Sequence, residues 1–205
     1  MSIRAGRQTL GALVMLATLV AVTGCDKLLP GPTASFKAVD VTGADYGREL
    51  ALPDASGKPR TLADFKGKVS VVFFGYTHCP DVCPTTLAEL AEVKRMLGSQ
   101  GDRVEAIFVT VDPERDTPEI LTAYMNNFGP GFVALRGTPA QTAAAAREFK
   151  VFYAKVPGKT DDSYTVDHTA GSYVIDTQGR LRLFARYGMP ADALASDLKQ
   201  LLAEG

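Results

Sequence analysis

Hydrophobic positions along the 205-residue chain fall into short runs of two kinds. Residues 68–76, KVSVVFFGY, are an almost unbroken series of β-branched and aromatic side chains, the pattern of a strand buried on both faces. Residues 104–111, VEAIFVTV, repeat it. Between them, from about Pro84 to Leu97, Leu87, Leu90, Ala91 and Leu97 recur near the helical period and predict a helix with an imperfect apolar face. Thr117 before Pro118, and Thr138 before Pro139, each read as an N-cap and first helical residue, opening helices that run to Phe128 and Phe149. Upstream, residues 48–52 and 58–62 flank the turn PDASG as a hairpin. Downstream, residues 172–176 and 180–187 are short strands joined by TQG, and Pro190 to Ala203 reads as the last helix. Strands alternating with helices predict an α/β fold: a mixed central sheet with helices on both faces and an N-terminal hairpin extension.

The first 24 residues stand apart from this pattern. Arg4 and Arg7 precede an uncharged apolar run, residues 10–22, followed by Thr23, Gly24 and Cys25. A basic start, a short apolar stretch and a small residue before cleavage make a secretory signal. The run is shorter than the roughly 20 apolar residues of a membrane span. The ending VTGC, residues 22–25, resembles a bacterial lipobox, with cleavage before Cys25 and lipid on its sulfur. The alternative is an ordinary signal with an incidental cysteine. Residues 25–42 then read as a lipidated cysteine and a tether rich in Pro, Gly and small polar residues, and 43–205 as one domain. The implied location is the bacterial cell membrane, with the domain in the periplasm or another extracytoplasmic space.

Composition adds an exclusion. The net charge is −1, and removing residues 1–24 takes away two arginines and no acid. Acids and bases are interspersed without a basic stripe, which argues against nucleic acid as a partner.

With Cys25 lipidated, Cys79 and Cys83 are the remaining thiols, in an oxidising compartment where free thiols need a reason. They lie in GYTHCPDVCPTT, residues 75–86, which follows the first buried strand and opens a helix. In such sheets the site lies beyond the carboxyl ends of the parallel strands, and Asp112 and Pro113 should share that edge. A cysteine at a helix N-terminus has its thiolate favoured by the dipole, so both sulfurs are expected to ionise readily. Residues four apart on a helix have Cβ atoms roughly 5–6 Å apart, whereas a disulfide wants roughly 3.5–4.5 Å. The spacing leans towards a shared metal and leaves a reversible disulfide open. Of the two histidines, His78 is expected to point away from Cys79. His168, in VDHTAGSYVID just before a strand, can lie beside the cysteine turn. Two thiolates and one imidazole are a soft set suited to Cu(I), and Cu(II) needs further oxygen or nitrogen donors.

At these residues the chain resembles the Sco/SenC family. The resemblance spans Gly43 to Ala203 and rests on GYTHCPDVCPTT, VTVDPERDTPE (residues 109–119) and DHTAGSYVID (residues 167–176). It implies a thioredoxin-like fold, a membrane-tethered domain and a copper site, with the family's ligands falling on Cys79, Cys83 and His168. The family's acidic motif falls on Asp112, implying a supporting or partner-facing role. Similar proteins help to assemble the dinuclear copper centre of cytochrome c oxidase subunit II, so that subunit or a similar copper-accepting protein is the implied partner. Neighbouring families fit less well. Thioredoxin-like reductases usually carry CxxC and a cis-proline, where this chain has CxxxC and Ala170. The peroxidase motif would require threonine where Pro80 stands. Copper delivery, reduction of a target's cysteines through Cys79 and Cys83, and redox or copper sensing are the three functions these residues leave open.

The lipid assignment is testable by itself, because stable anchoring takes more than one acyl chain and a lipidated N-terminal cysteine supplies them. Cys25→Ser is expected to leave the precursor uncleaved or to release the protein from the membrane fraction. Mass spectrometry finding a mature, unlipidated Cys25 in the native protein would reject it.

Overall fold

The centre of the molecule is built from the two segments that the sequence marks most strongly. In this computed structural model, which describes residues 35–160 and 163–205, they are β4 (Val69–Gly75) and β5 (Val104–Thr110). The two pair in parallel from Val69 opposite Val104 to Gly75 opposite Thr110, and every residue of both is buried. The expected signal, the expected lipid site Cys25 and residues 25–34 of the expected tether lie outside the described residues.

Four further strands complete the sheet: β1 (Val39–Asp40), β6 (Phe132–Leu135), β9 (Gly171–Ile175) and β10 (Leu181–Arg186). The order is β1-β10-β9-β4-β5-β6, with β4, β5 and β6 parallel and the other three forming antiparallel pairs. The expected N-terminal hairpin is β2 (Ala51–Pro53) with β3 (Pro59–Thr61). It covers the β6 edge, where the Ala55 amide donates to the Ala134 carbonyl and the Arg136 amide to that of Pro53. A second ribbon, β7 (Tyr153–Pro157) with β8 (Tyr164–His168), stands outside the main sheet.

The helices divide between the faces. Helices α1 (Val82–Met96) and α4 (Ala191–Glu204) cover one face, where Leu90, Val93, Leu194, Leu198, Leu201 and Leu202 pack on Val69, Val71, Val104 and Ala106. Each buried leucine contributes about 1.5–3 kcal/mol. Helices α2 (Pro118–Asn126) and α3 (Pro139–Glu148) cover the other face through Leu121, Met125, Ala145 and Ala146. Both begin as expected, with the Thr117 hydroxyl accepting from the Ile120 amide and the Thr138 hydroxyl from that of Gln141.

Three expectations are corrected. Helix α1 starts at Val82, two residues before Pro84, because the first helical N–H groups have no intrahelical acceptor and proline loses nothing there. Its buried face also takes in Cys83 and Thr86, which completes the stripe that looked imperfect from Leu87 onward. The folded unit begins at Phe36, so residues 36–42 are not tether. Val39 and Asp40 pair with β10, and the Asp197 carboxylate on α4 accepts the Lys37 and Ala38 amides at 2.7–3.0 Å. No helix among the described residues is long and apolar enough to cross a membrane.

Candidate metal centre

Strand β4 ends at Gly75, and the chain then turns so that the Cys79 amide donates to the Tyr76 carbonyl at 3.2 Å. The turn delivers Cys79, partly exposed, just ahead of α1, and Cys83, fully buried, in its first turn. The Cys83 amide, one of the helix's uncommitted N–H groups, points at the Cys79 sulfur at 3.4 Å. A Cβ at position 75 would lie 2.8 Å from the Cys83 Sγ and 2.9 Å from the rings of Phe73 and Phe108. Glycine is therefore what lets the sulfur sit against the end of β4.

The third donor arrives from the ribbon. His168 ends β8, and its Nε2 lies 3.5 Å from the Cys83 Sγ. Its Nδ1 is 3.2 Å from the Thr169 carbonyl oxygen. That carbonyl can only accept, so in the neutral ring the proton sits on Nδ1 and the Nε2 lone pair faces the sulfurs. Edge-on contacts with Phe73 and Tyr76, at centroid distances of 5.8 and 6.0 Å, hold the ring in that orientation. The donor atoms of Cys79, Cys83 and His168 all lie within 4.8 Å of one another, and among the described residues no other acid, cysteine or histidine joins them. Ligands about 2.3 Å from a shared ion stand at most about 4.6 Å apart, so the set fits one metal with shifts of a few tenths of an ångström. It opens into a groove of about 310 Å³ lined by Tyr76, Cys79, Val82, Val166, His168 and Ala170.

Electrostatics correct one expectation. Both sulfurs were expected to ionise readily, yet burial pushes the Cys83 thiol far above its usual range, and the neighbouring Cys79 and Asp116 add to the rise. Desolvation outweighs the helix dipole at this sulfur. Burial also holds the His168 imidazole below its usual pKa, which keeps it neutral. Both cysteines are free thiols, so without metal the centre is a neutral thiol facing an imidazole lone pair.

The remaining sequence candidates fall into place around this set. His78 is about half exposed and turns to the Thr77 hydroxyl, 3.1 Å away, so it is not one of the donors. Asp112 sits just past β5 at the expected edge, but it is buried and joins Arg115 and Tyr164 instead of the donor set. Thr77, Arg115, Asp116 and Tyr164 were not singled out from the sequence. Asp116 lies inside the same VDPERD segment, where its buried carboxylate accepts from Thr77 and Thr110. Tyr164 begins a ribbon strand that the hydrophobic pattern does not reveal.

A mixed sheet with a cysteine pair where its first central strand gives way to a helix, and a histidine brought up by a separate two-stranded ribbon, defines a thioredoxin-like domain with a two-sulfur, one-imidazole centre. The SCO1/SenC family model matches residues 39–203, and the chain belongs to that family. A SCO2-like protein of Rickettsia felis is 38% identical over 135 residues, covering 65% of this chain and 66% of the relative. The mitochondrial SCO2 homolog of Mus musculus is 34% identical over 157 residues, covering 76% of this chain and 62% of the relative. The chain thus spans somewhat under two thirds of these relatives. The structure of Bradyrhizobium japonicum ScoI with copper bound superposes with a TM-score of 0.70 at 44% identity, covering 76% of this chain and 99% of that one.

The neutral imidazole has a consequence for stability. As the pH falls below the ordinary value of 6.5, the unfolded chain protonates His168 before the folded one does. Metal-free stability is therefore intact above that value and declines below it. His168→Gln is expected to flatten the decline between about pH 7 and pH 5 in urea unfolding of the metal-free protein. An undiminished slope would show that burial does not hold this ring neutral.

Proposed function

We propose that this protein binds one copper ion on Cys79, Cys83 and His168 and passes it to a copper-accepting protein during cytochrome c oxidase assembly. The observation that carries the reading is the convergence of two sulfurs and one imidazole lone pair within 4.8 Å. Soft sulfur donors select Cu(I), and the copper-bound ScoI of Bradyrhizobium japonicum supports copper over zinc, which normally takes four ligands. Cu(II) requires further donors from outside this set. When bound, copper supplies the positive charge that makes a buried Cys83 thiolate tolerable. The chain's own part is to release the Cys83 proton on loading, to present the His168 Nε2, and to leave Cys79 at the groove for exchange with an incoming ligand. The natural acceptor is subunit II of the oxidase, whose dinuclear site needs copper. A lipid on Cys25 would hold the domain at the outer face of the bacterial cell membrane, beside membrane-bound oxidase.

A second reading rests on the two free thiols. As a reductant, Cys79 and Cys83 would lose two protons and two electrons and form one S–S bond, while the target's disulfide opens to two thiols. His168 has no necessary place in that exchange.

Anaerobic titration of the reduced protein is expected to give one Cu(I) per chain, with tight binding nearly abolished in Cys79→Ser or Cys83→Ser. Unchanged binding in both variants would refute the site. Cells carrying only His168→Ala separate the two readings. Delivery predicts lost oxidase copper loading from a protein whose metal-free melt is close to wild type and whose thiol exchange persists. A stable variant with weakened copper binding but normal oxidase assembly would favour the reductase.

A further inference from the structure

The segment between β5 and α2 touches both halves of the centre through two different carboxylates. Asp116 is fully buried and faces the sulfur-bearing turn. It accepts from the Thr77 amide at 3.2 Å and from the Thr77 hydroxyl at 2.6 Å, two residues before Cys79, and it is tied back to β5 by the Thr110 hydroxyl at 2.5 Å. Asp112, 1% exposed, faces the ribbon. One of its oxygens accepts from the Tyr164 hydroxyl at 2.8 Å and the other from the Arg115 Nε. Arg115 in turn donates to the Tyr164 carbonyl at 2.9 Å and stacks 3.5 Å from the centroid of its ring. On the same ribbon, Lys155 pairs with Glu114 at 2.6 Å and lies 4.6 Å from the Tyr164 ring centroid. Tyr164 opens the five-residue strand that His168 closes.

We propose that residues 112–116 are a two-armed brace, in which Asp116 positions the cysteine turn and Asp112, through Arg115 and Tyr164, positions the strand that carries His168. The physical case is one of rigidity. The cysteine turn grows directly out of a buried strand, but the ribbon shares no ladder with the main sheet. The main sheet holds His168 from one side only, where β9 begins three residues later and pairs with β4 at Ser172 opposite Phe73. Hydrogen bonds to buried carboxylates are among the stronger ones available, and both carboxylates hang from one short loop at the end of β5. The loop thereby converts the rigidity of β5 into a set distance between the two sides of the centre. Neither carboxylate joins the donor set; both act through the residues they hold.

The inference rests on the metal-site reading only in its affinity arm, and a second arm needs no metal. In the full-length, reduced, metal-free protein, residue-resolved amide exchange is measured by NMR. Tyr164→Phe removes one hydroxyl, and Asp112→Asn removes the charge and leaves a single acceptor oxygen where the carboxylate gave two. Each is expected to speed exchange across residues 164–168 and leave 76–79 unchanged. Asp116→Asn should do the reverse. Exchange that is unaltered, or raised across the whole fold, would overturn the brace. Cu(I) affinity is measured in competition with bicinchoninate. Tyr164→Phe is expected to weaken it by about tenfold when His168 is present, a typical loss for a supporting residue, and to cost nothing more in a His168→Ala background. Equal losses in both backgrounds would show that Tyr164 does not act through His168. Failure of the wild type to bind copper would refute the metal reading and leave the exchange pattern to decide the brace.

Discussion

The rest of the centre depends on the burial of the Cys83 sulfur against the end of β4, 3.5 Å from an imidazole 85 residues further along the chain. Burial demands glycine at position 75, because any side chain there would occupy the space of the sulfur. It also raises the cost of a thiolate and leaves a neutral thiol facing the His168 lone pair. A proton and a metal ion therefore compete for one place. The buried Asp116 adds to the rise of the Cys83 thiol. A cation entering the centre meets both sulfur donors and the imidazole lone pair.

The scaffold gives the two sides of the centre different mechanical character. Cys79 and Cys83 hang from β4, paired along its length to β5 and antiparallel to β9 and roofed by α1 and α4. His168 comes from a two-stranded ribbon whose outer residues are largely exposed. The two soft donors and the third donor therefore come from separate elements, and the contacts of Asp112, Arg115 and Tyr164 link the ribbon to the end of β5.

Much of this was legible in the residues. Strands buried on both faces need continuous apolar runs, so KVSVVFFGY and VEAIFVTV placed the centre of the sheet, and the Thr-Pro pairs placed two helix starts. The position of the cysteine motif after the first buried strand put both cysteines at the carboxyl end of β4, where the structure has them. What the pattern does not show is short or exposed. β1 has two residues, β6 has four beside glycines, and the β7–β8 ribbon buries too little to alternate. Helix α1 also hid its start, because Pro84 looks like a boundary although it costs nothing in a first turn. The ionisation of Cys83 was misjudged for a related reason: the helix terminus can be read from local sequence, but the desolvation that overrides it comes from burial of the sulfur in the core cluster that also holds Phe73 and Phe108. The pairing of Asp116 with Thr77 spans 39 residues, and no local pattern announces it.

The proposed copper centre is one coordination shell formed by residues from two separate parts of the chain. The most direct test is X-ray absorption at the copper edge of the reduced protein loaded with one equivalent of Cu(I). Two sulfur ligands and one imidazole nitrogen are predicted, with the nitrogen lost in His168→Ala and both sulfurs retained. A shell with fewer than two sulfurs, or one whose nitrogen persists without His168, would contradict it.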